Sequence, residues 1–240
     1  MKLHFFGADQ CVTGSCHCLE VNGKRILIDC GLQQGRDEVD NSSLPFHAGN
    51  IDYVLVTHAH IDHSGRIPLL VKQGFRGRIL TTRLTAQLMD IMLQDSAHIQ
   101  EQEAEWKNRK AMRSGADMVE PDYTVEDAEK VMQQFVPCPY ETWQNLFDGP
   151  TGKIEMRFTD VGHLLGSASI SLRVTEPGKQ PEIIVFSGDI GNTHQPLIKD
   201  PANPGHADYL IMESTYGDRS HGPKPDYLGE LTDVLQSTFD

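Results

Sequence analysis

The sequence predicts an α/β fold of the α+β type, in which two β-sheets pack face to face with helices outside them, an αββα sandwich. Two observations predict it. The first strands come as an antiparallel pair, because Asn22-Gly23 is a hairpin signal between two apolar runs. Later apolar runs alternate with helical segments, which places helices on the outside of sheets. With 240 residues, the chain is long enough to bury one good core.

The strands are assigned to short apolar or β-branched runs bounded by glycine, proline or polar residues. In chain order they are predicted at 3–6, 17–21, 25–29, 53–57, 78–82, 154–161, 169–174, 183–187 and 209–213. The helices are predicted at 67–73, 84–113 and 125–135 and from about residue 226, and Thr124 with Asp127 forms an N-cap pattern for the third.

The stretch from 98 to 121 is charged on nearly all sides of its helix. It is typical of a solvated helical excursion that extends past the sandwich. A lid or an interface element is the alternative, for which the exposed aromatic residue Trp106 is the indication.

Composition excludes several classes of protein. The chain has 38% hydrophobic and 23% charged residues, as soluble globular proteins do. No apolar run approaches the roughly 20 residues that span a bilayer. The formal net charge of −13 argues against a broad nucleic-acid-binding surface. Five cysteines without a C-x-x-C pair do not suggest a disulfide framework, so we expect a cytoplasmic protein.

One pair of cysteines, in Cys16-His17-Cys18, has two interpretations. These residues could bind a metal ion. Alternation along a strand, with Cys16 and Cys18 on the buried side, is the interpretation that we favour.

The densest chemical signal directly follows the apolar strand at 53–57 and contains three histidines and an aspartate: His58, His60, Asp62 and His63. His58 and His60 are two residues apart, so they point to the same side of an extended chain. Asp62 and His63 follow in the loop or the first helical turn and can face a second point nearby. Imidazole and carboxylate together suit Zn²⁺, with Mn²⁺ or iron as alternatives. The spacing predicts two neighbouring metal sites, and a histidine-rich turn without function is the alternative.

Three further polar residues stand where other apolar strands end. His163 follows the strand at 154–161, Asp189 follows the strand at 183–187, and Asp29 ends the strand at 25–29. A glycine within two residues of each of them allows the chain to turn sharply. Taken singly, they could be a buried histidine and turn aspartates. Taken together, they indicate that buried strands deliver metal-ligating residues to one site.

Asp29, the cluster from His58 to His63, His163 and Asp189 resemble the first four motifs of the metallo-β-lactamase fold hydrolases. A fifth segment, Glu213-Ser214-Thr215-Tyr216-Gly217, is similar to the opening motif of the β-CASP branch of that fold, which cuts RNA or DNA. The resemblance extends from Phe5 to about Phe239. It implies a hydrolase that cleaves RNA phosphodiester bonds by a metal-bound hydroxide, with two divalent ions, most often Zn²⁺.

The resemblance also implies a set of six metal ligands: His58, His60, Asp62, His63, His163 and Asp189. In that arrangement His58, His60 and His163 bind one ion. Asp62 and His63 bind the other ion, and Asp189 bridges the two.

The same resemblance implies catalytic and supporting roles. Asp62 would orient the attacking hydroxide, and Glu213 would orient a histidine that protonates the leaving oxygen. Asp29 would hold a ligand histidine by its other ring nitrogen, or it is simply a turn residue. Ser167 and Ser169 either donate to a phosphate or pack in the interior.

The chain departs from the β-CASP pattern after Asp189. Two later histidines of that branch have no counterpart, since His194, His206 and His221 do not fall where the family places them. We therefore expect an amino-terminal part of a longer enzyme, incomplete at its carboxyl side. Its metallo-β-lactamase core would cover 1–213, and the start of a truncated β-CASP insert would cover 214–240. On this expectation, residues 1–240 alone are inactive or nearly so.

Two other functions are weighed against RNA cleavage. A small-molecule thioester or lactone hydrolase of the same fold is disfavoured by the segment that begins at Glu213. A catalytically idle RNA-binding relative is disfavoured by the complete ligand set. We expect single-stranded RNA as substrate, with DNA as the alternative, no membrane association, and a homodimer as a compatible state. Endonuclease and 5′-exonuclease action both stay open.

Overall fold

The computed structural model describes residues 1–35, 40–220, 222 and 226–239. Two sheets form its centre. The first sheet has six strands in chain order: β1 (Lys2–Gly7), β2 (Cys16–Val21), β3 (Lys24–Ile28), β4 (Tyr53–Leu55), β5 (Arg78–Thr82) and β6 (Phe135–Cys138). The second sheet has five strands, which run in reverse order from β11 to β7: β7 (Gln144–Gly149), β8 (Gly152–Asp160), β9 (Ala168–Thr175), β10 (Glu182–Phe186) and β11 (Tyr209–Ile211).

Five α-helices accompany the sheets: α1 (Ile61–Ser64), α2 (Ile67–Lys72), α3 (Arg83–Ser114), α4 (Val125–Val131) and α5 (Tyr227–Phe239). One apolar cluster, which includes Ile26, Phe158 and Ile170, fills the space between the sheets. A second cluster packs the other face of the first sheet against the helices, with Leu70 and Met89 at its centre. The predicted fold of two sheets with helices is therefore confirmed.

The helices cover the two sheets unequally. Helix α4 packs on both α2 and α3, and α3 also contacts β5 and β6 of the first sheet. Helix α5 buries none of its residues. None of the described helices combines the length and the apolar character that crossing a bilayer requires.

Two strands were not predicted. The helix expected at 125–135 ends at Val131, a single 3₁₀ turn follows, and Phe135 begins β6. Strand β6 forms because it pairs in parallel with β5, where Ile79 lies opposite Phe135. Strand β7 pairs with β8 through a hairpin. Both strands form because they pair with a neighbouring strand, and the local sequence does not indicate this pairing.

Two local predictions are confirmed. Asn22 and Gly23 join β2 to β3 with φ values of 53° and 72°, as a type I′ hairpin turn requires. The Thr124 side chain caps α4, and the Asp127 carboxylate accepts in return from the Thr124 backbone N–H. Both turns are set by residues adjacent in sequence, so they can be predicted without knowledge of the fold.

The loops that follow the strands meet at one end of the sandwich with their backbones in contact. A β-carbon on Gly31 would lie 1.6 Å from the carbonyl oxygen of Asp62. A β-carbon on Gly191 would lie 1.7 Å from the carbonyl oxygen of Gly162. Because any side chain would collide with backbone at these points, glycine is needed for the loops to approach one another.

Candidate metal centre

Three imidazoles and one carboxylate converge where these loops meet. His58, His60, His163 and Asp189 each place one ligand atom so that all four atoms lie within 4.8 Å of one another. Nδ1 of His60 is 3.0 Å from Nε2 of His58 and 3.2 Å from Nε2 of His163. Oδ2 of Asp189 lies 3.4 Å from Nε2 of His163 and 3.7 Å from Nε2 of His58. We call these four residues the first cluster.

The spacing of the first cluster fits a metal ion. Four ligands around a tetrahedral Zn²⁺, with Zn–N distances of 2.0–2.1 Å, are separated from one another by about 3.3 Å. The observed separations of 3.0–3.7 Å bracket that value. Imidazole and carboxylate are also ligand types that divalent transition metals accept. The donor set therefore suits a divalent metal.

His63 and Asp62 form a second cluster beside the first. Nε2 of His63 is 3.2 Å from Oδ1 of Asp189 and 3.9 Å from Oδ2 of Asp62. Asp189 thus presents its two oxygens to two different groups of histidines. The Oδ2 atom faces the first cluster and the Oδ1 atom faces His63, so this one carboxylate contacts both groups of histidines.

Asp29 and Thr57 support both clusters from beneath. Oδ2 of Asp29 lies 2.8 Å from Nδ1 of His63, and its Oδ1 accepts from the backbone N–H of Thr57 at 2.8 Å. The Thr57 hydroxyl lies 2.9 Å from Asp29 and 3.0 Å from Nδ1 of His58. If this hydroxyl donates to Asp29, it accepts from Nδ1–H of His58. Both rings then hold a proton on Nδ1, which leaves Nε2 as the nitrogen that faces the centre.

Burial and nearby charges shift the pKa values of the site residues in opposite directions. Burial lowers the pKa of His58 well below its ordinary value and also lowers the pKa of His163. Burial opposes the protonation of His63 as well, but the carboxylates of Asp29 and Asp189 outweigh it and raise the pKa of His63 to about 10. Burial of Asp189 is likewise outweighed by its contact with His63, so the pKa of this carboxyl is lowered. His58 and His163 are thus neutral donors beside the anionic Asp189, whereas His63 is an imidazolium at neutral pH when no metal is bound.

The loop that carries His163 is fixed by hydroxyl groups. The Ser167 hydroxyl accepts from the backbone N–H groups of His163 and Leu164, at 3.0 and 3.2 Å. The hydroxyls of Thr82 and Thr85 donate to the carbonyl of Gly166, at 2.7 and 2.8 Å. The Tyr140 hydroxyl donates to the carbonyl of Ser167 at 3.0 Å.

Of the two serines considered as phosphate donors, both take structural positions. The Ser167 hydroxyl is hydrogen-bonded to the loop backbone. Ser169 is buried on β9, and its hydroxyl has no partner among the described residues. Ser167 therefore supports the backbone of the His163 loop, and Ser169 packs in the interior.

Glu213 follows β11 and contacts the loop of Asp189. Its Oε1 accepts from the backbone N–H of Ile190 at 2.7 Å, and its own N–H donates to the hydroxyl of Ser187 at 3.2 Å. His194 and His206 are exposed and lie beside Asp200 and Asp208, at 3.5 and 3.1 Å. His221 lies outside the described residues.

Cys16 and Cys18 are buried in the apolar cluster beneath the helices, while His17 between them points to the space between the sheets. The predicted alternation along β2 is thus observed. All five cysteines are free thiols.

Several residues that support the site could not be predicted from the sequence. Thr57 stands next to the histidine motif, but nothing in the sequence shows that its hydroxyl joins Asp29 to His58. Thr82, Thr85 and Tyr140 are far from His163 in the chain, and their hydroxyls read as ordinary strand, cap and loop residues.

Solved structures show the same fold. A metallo-beta-lactamase from Cronobacter sakazakii, a HARLDQ motif mutant, superposes with a TM-score of 0.52 at 16% identity, over 97% of this chain and 82% of that chain. BJP-1, a subclass B3 metallo-beta-lactamase of Bradyrhizobium japonicum, gives a TM-score of 0.50 at 17% identity, over 99% of this chain and 89% of that chain. At this identity the likeness concerns the fold alone.

The chain is similar in sequence to proteins with ribonuclease names, which confirms the predicted resemblance. It is 35% identical to Ribonuclease TTHA0252 of Thermus thermophilus, over all of this chain and 49% of that protein. It is 29% identical to Probable RNase MJ4 of Methanocaldococcus jannaschii, over 92% of this chain and 47% of that protein. The chain spans about half the length of these relatives.

A family model gives the broader assignment. The model described as the metallo-beta-lactamase superfamily matches residues 10–236, which is nearly the whole chain. The match includes every residue of the two clusters, and also Asp29 and Thr57 beneath them. The chain belongs to the metallo-beta-lactamase superfamily.

Proposed function

We propose that the protein is a metal-dependent hydrolase that cleaves the phosphodiester bonds of RNA. The observation that carries this proposal is Asp189, whose two oxygens face two separate groups of imidazoles. Two adjacent divalent ions suit the charge of a scissile phosphate. The ribonuclease names of its relatives support RNA as the substrate class. Because the chain spans about half of those relatives, the activity of the whole protein belongs to this proposal.

Each side chain of the centre has a proposed role in binding. His58, His60 and His163 would hold the first ion. Asp62 and His63 would hold the second, and Asp189 would touch both. Bound divalent metal would supply an acidified water at neutral pH and positive charge for the phosphate oxygens. Zn²⁺ and a count of two ions belong to this proposal, and the donor types and the contacts of Asp189 with both clusters support them.

Asp62 and Glu213 would take part in proton transfer and in positioning. Asp62 is partly open to solvent beside His63, so its carboxylate can accept a proton from an attacking water and orient it. Glu213 holds the loop of Asp189 through the N–H of Ile190. We also propose that Glu213 orients a histidine that protonates the leaving oxygen in a longer chain.

The proposal also covers the domain bounds, the form of the substrate, the compartment and the oligomeric state. Residues 1–213 would form the metallo-β-lactamase core and 214–240 the start of a β-CASP insert. The substrate would be single-stranded RNA, and the five free thiols suit a reducing cytoplasm. A homodimer remains compatible with this layout. Residues 1–240 alone would be inactive or nearly so.

Labelled single-stranded RNA, incubated with the Zn²⁺-loaded full-length protein and with its variants, tests the function. Asp62→Asn keeps the shape of the side chain but removes its charge, and we expect cleavage to fall by about 10²- to 10⁴-fold. Asp148→Asn, on the distant hairpin of β7, is the matched control and should cleave as the native protein does.

The outcomes separate the hypotheses. Full activity of Asp62→Asn would contradict the proposed role of Asp62. Hydrolysis of a thioester or a lactone without cleavage of RNA would replace the proposal by the small-molecule reaction. Cleavage of single-stranded DNA at the same rate as RNA would correct the substrate class.

A further inference from the structure

A cavity of about 620 Å³ opens beside the second cluster, between the diverging ends of the two sheets. His63 and Asp189 form the wall next to the metal centre. The opposite walls come from β1, from the loop that follows it and from the segment 213–219. We call this space the edge cavity. Its volume lies within the range of roughly 300–1,000 Å³ that small-molecule sites in proteins occupy.

An aromatic side chain forms one wall of the edge cavity. Phe5 is 51% exposed although it belongs to a strand of the sandwich. Its ring lies directly opposite His17 on β2, with 5.2 Å between the ring centroids and 70° between the planes. His17 in turn stacks towards Phe186 of the second sheet at 6.3 Å. Phe5 is therefore held by His17, while about half of its side chain stays exposed and lines the edge cavity.

The charge of the edge cavity selects the kind of ligand. Its walls carry five carboxylates: Asp9, Asp29, Asp189, Glu213 and Asp218. Arg219 is the one arginine or lysine among the described lining residues, and it is 3.6 Å from Asp218. Away from the metal, such walls repel a phosphate. They suit an uncharged ring that carries N–H donors, because a carboxylate accepts from an exocyclic amino group.

We propose that the edge cavity is a nucleobase subsite. It would hold the base of a nucleotide whose phosphate lies at the metal centre, with Phe5 as the stacking platform and Asp9 and Asp218 as acceptors for the amino group of adenine or cytosine. Aromatic stacking accepts any base, and the carboxylates add a preference against uracil, which has no exocyclic amino group. This inference rests on the proposed function and makes the protein selective among RNA sequences.

Binding of nucleoside monophosphates tests the subsite without a need for turnover. The Zn²⁺-loaded protein is titrated calorimetrically with the 5′- and 3′-monophosphates of adenosine, cytidine and uridine, and with ribose 5-phosphate, which has no base. We expect the adenosine and cytidine compounds to bind about 5- to 100-fold more tightly than ribose 5-phosphate. The uridine compounds should fall between them.

Three variants test which side chains make the nucleotides bind more tightly than ribose 5-phosphate, a difference that we call the gain. Phe5→Ala should remove most of it, and Asp218→Asn should bring uridine close to cytidine. Trp106→Ala is the matched control, because Trp106 is 52% exposed on α3 and does not line the edge cavity. Its affinities should equal those of the native protein.

Two results would overturn the inference. One is equal binding of ribose 5-phosphate and the nucleotides, and the other is an unchanged gain in Phe5→Ala. Ribose 5-phosphate separates this failure from failure of the proposed function. If it binds in a Zn²⁺-dependent way, the phosphate site stands even where the subsite fails. If no phosphate compound binds, the proposed function and the subsite are both rejected.

Discussion

Nδ1 of His63 lies 2.8 Å from the carboxylate of Asp29, which comes from another strand and is itself buried. This contact fixes which nitrogen of the ring carries the proton, so that Nε2 is turned towards Asp189. Asp29 also accepts from the backbone and hydroxyl of Thr57, whose oxygen lies 3.0 Å from His58. A single carboxylate that touches no first-cluster ligand directly thus orients the rings of both clusters.

The first prediction concerns Asp29→Asn. The amide keeps the size of the side chain but loses the charge that holds Nδ1–H of His63. We expect metal affinity at the second cluster to fall by about 10- to 100-fold, measured by competition with a chromogenic chelator. Asp52→Asn is the matched control, because Asp52 accepts from the backbone of Arg25 at the opposite end of β3. Equal affinities in both variants would contradict the role of Asp29.

The second prediction concerns pH and the metal-free protein. The pKa of His63 is raised to about 10 in the folded state and is near 6.5 in an unfolded chain. A raised folded-state pKa gives stability that is fully present below about pH 6.5 and is lost as the pH rises through about 10. We expect the unfolding free energy, measured with urea in a chelator, to fall by ~2–4 kcal/mol between these limits.

His63→Gln provides the comparison for that experiment. Glutamine does not titrate, so this variant should show a much smaller fall in unfolding free energy over the same pH range. The difference between native and variant curves isolates His63 from the lysine and cysteine groups that titrate at high pH. Parallel curves would show that His63 is not an imidazolium in the metal-free protein.

The third prediction concerns His60, whose Nδ1 is close to the Nε2 atoms of both His58 and His163. His60→Ala removes the central donor of the first cluster. We expect it to retain clearly less Zn²⁺ than the native protein after dialysis, as measured by elemental analysis. His98→Ala is the control, because His98 is exposed on α3 and contacts Gln102. The same metal content in the two variants would remove His60 from the ligand set.

The fourth prediction concerns the contact between loops at Gly31. A β-carbon there meets the backbone of Asp62 at 1.6 Å, and backbone cannot move aside as a flexible side chain can. We expect Gly31→Ala to cost about 3 kcal/mol or more in unfolding free energy and to weaken metal binding. Gly49→Ala is the matched control, since its nearest neighbour is 3.8 Å away, and it should change stability by less than about 1 kcal/mol. Similar unfolding midpoints would refute the packing argument.

The convergence of the side chains at the candidate metal centre could be predicted from the sequence, whereas their binding of metal stays a prediction. His58, His60 and His63 lie close together in the chain, and Asp29, His163 and Asp189 each follow an apolar strand. Strand ends converge in a sandwich of this kind, so these residues could be expected to meet. The division of Asp189 between two clusters needs atomic distances, and no pattern of residues supplies them.

The parts that were missed depend on contacts between distant segments. Strand β6 forms because β5 lies beside it. The edge cavity is lined by Phe5 of the first sheet and Phe186 of the second, with His17 between their rings. Hydroxyl groups were missed for another reason. Serine and threonine occur in every type of local structure, so their presence does not indicate which carbonyl they bind.

The last prediction uses two of those hydroxyls. Thr82 and Thr85 both donate to the carbonyl of Gly166 and so tie the start of α3 to the loop of His163. In the double variant Thr82→Val/Thr85→Val the shape is kept, but the buried carbonyl loses both donors. We expect stability to fall by about 1–3 kcal/mol, because a buried carbonyl is left unpaired. We also expect Zn²⁺ affinity at the first cluster to fall, because His163 loses its support.

The control for this variant is Thr151→Val, which also removes a hydroxyl bound to a backbone carbonyl, that of Asn22, but at the other end of the sandwich. It should lose some stability, about 1 kcal/mol, while its Zn²⁺ affinity stays native. Comparing affinity at matched stability separates a positioning effect from a general loss of folding. If the double variant unfolds more easily yet binds Zn²⁺ as tightly as Thr151→Val does, the two hydroxyls stabilise the fold but do not position His163.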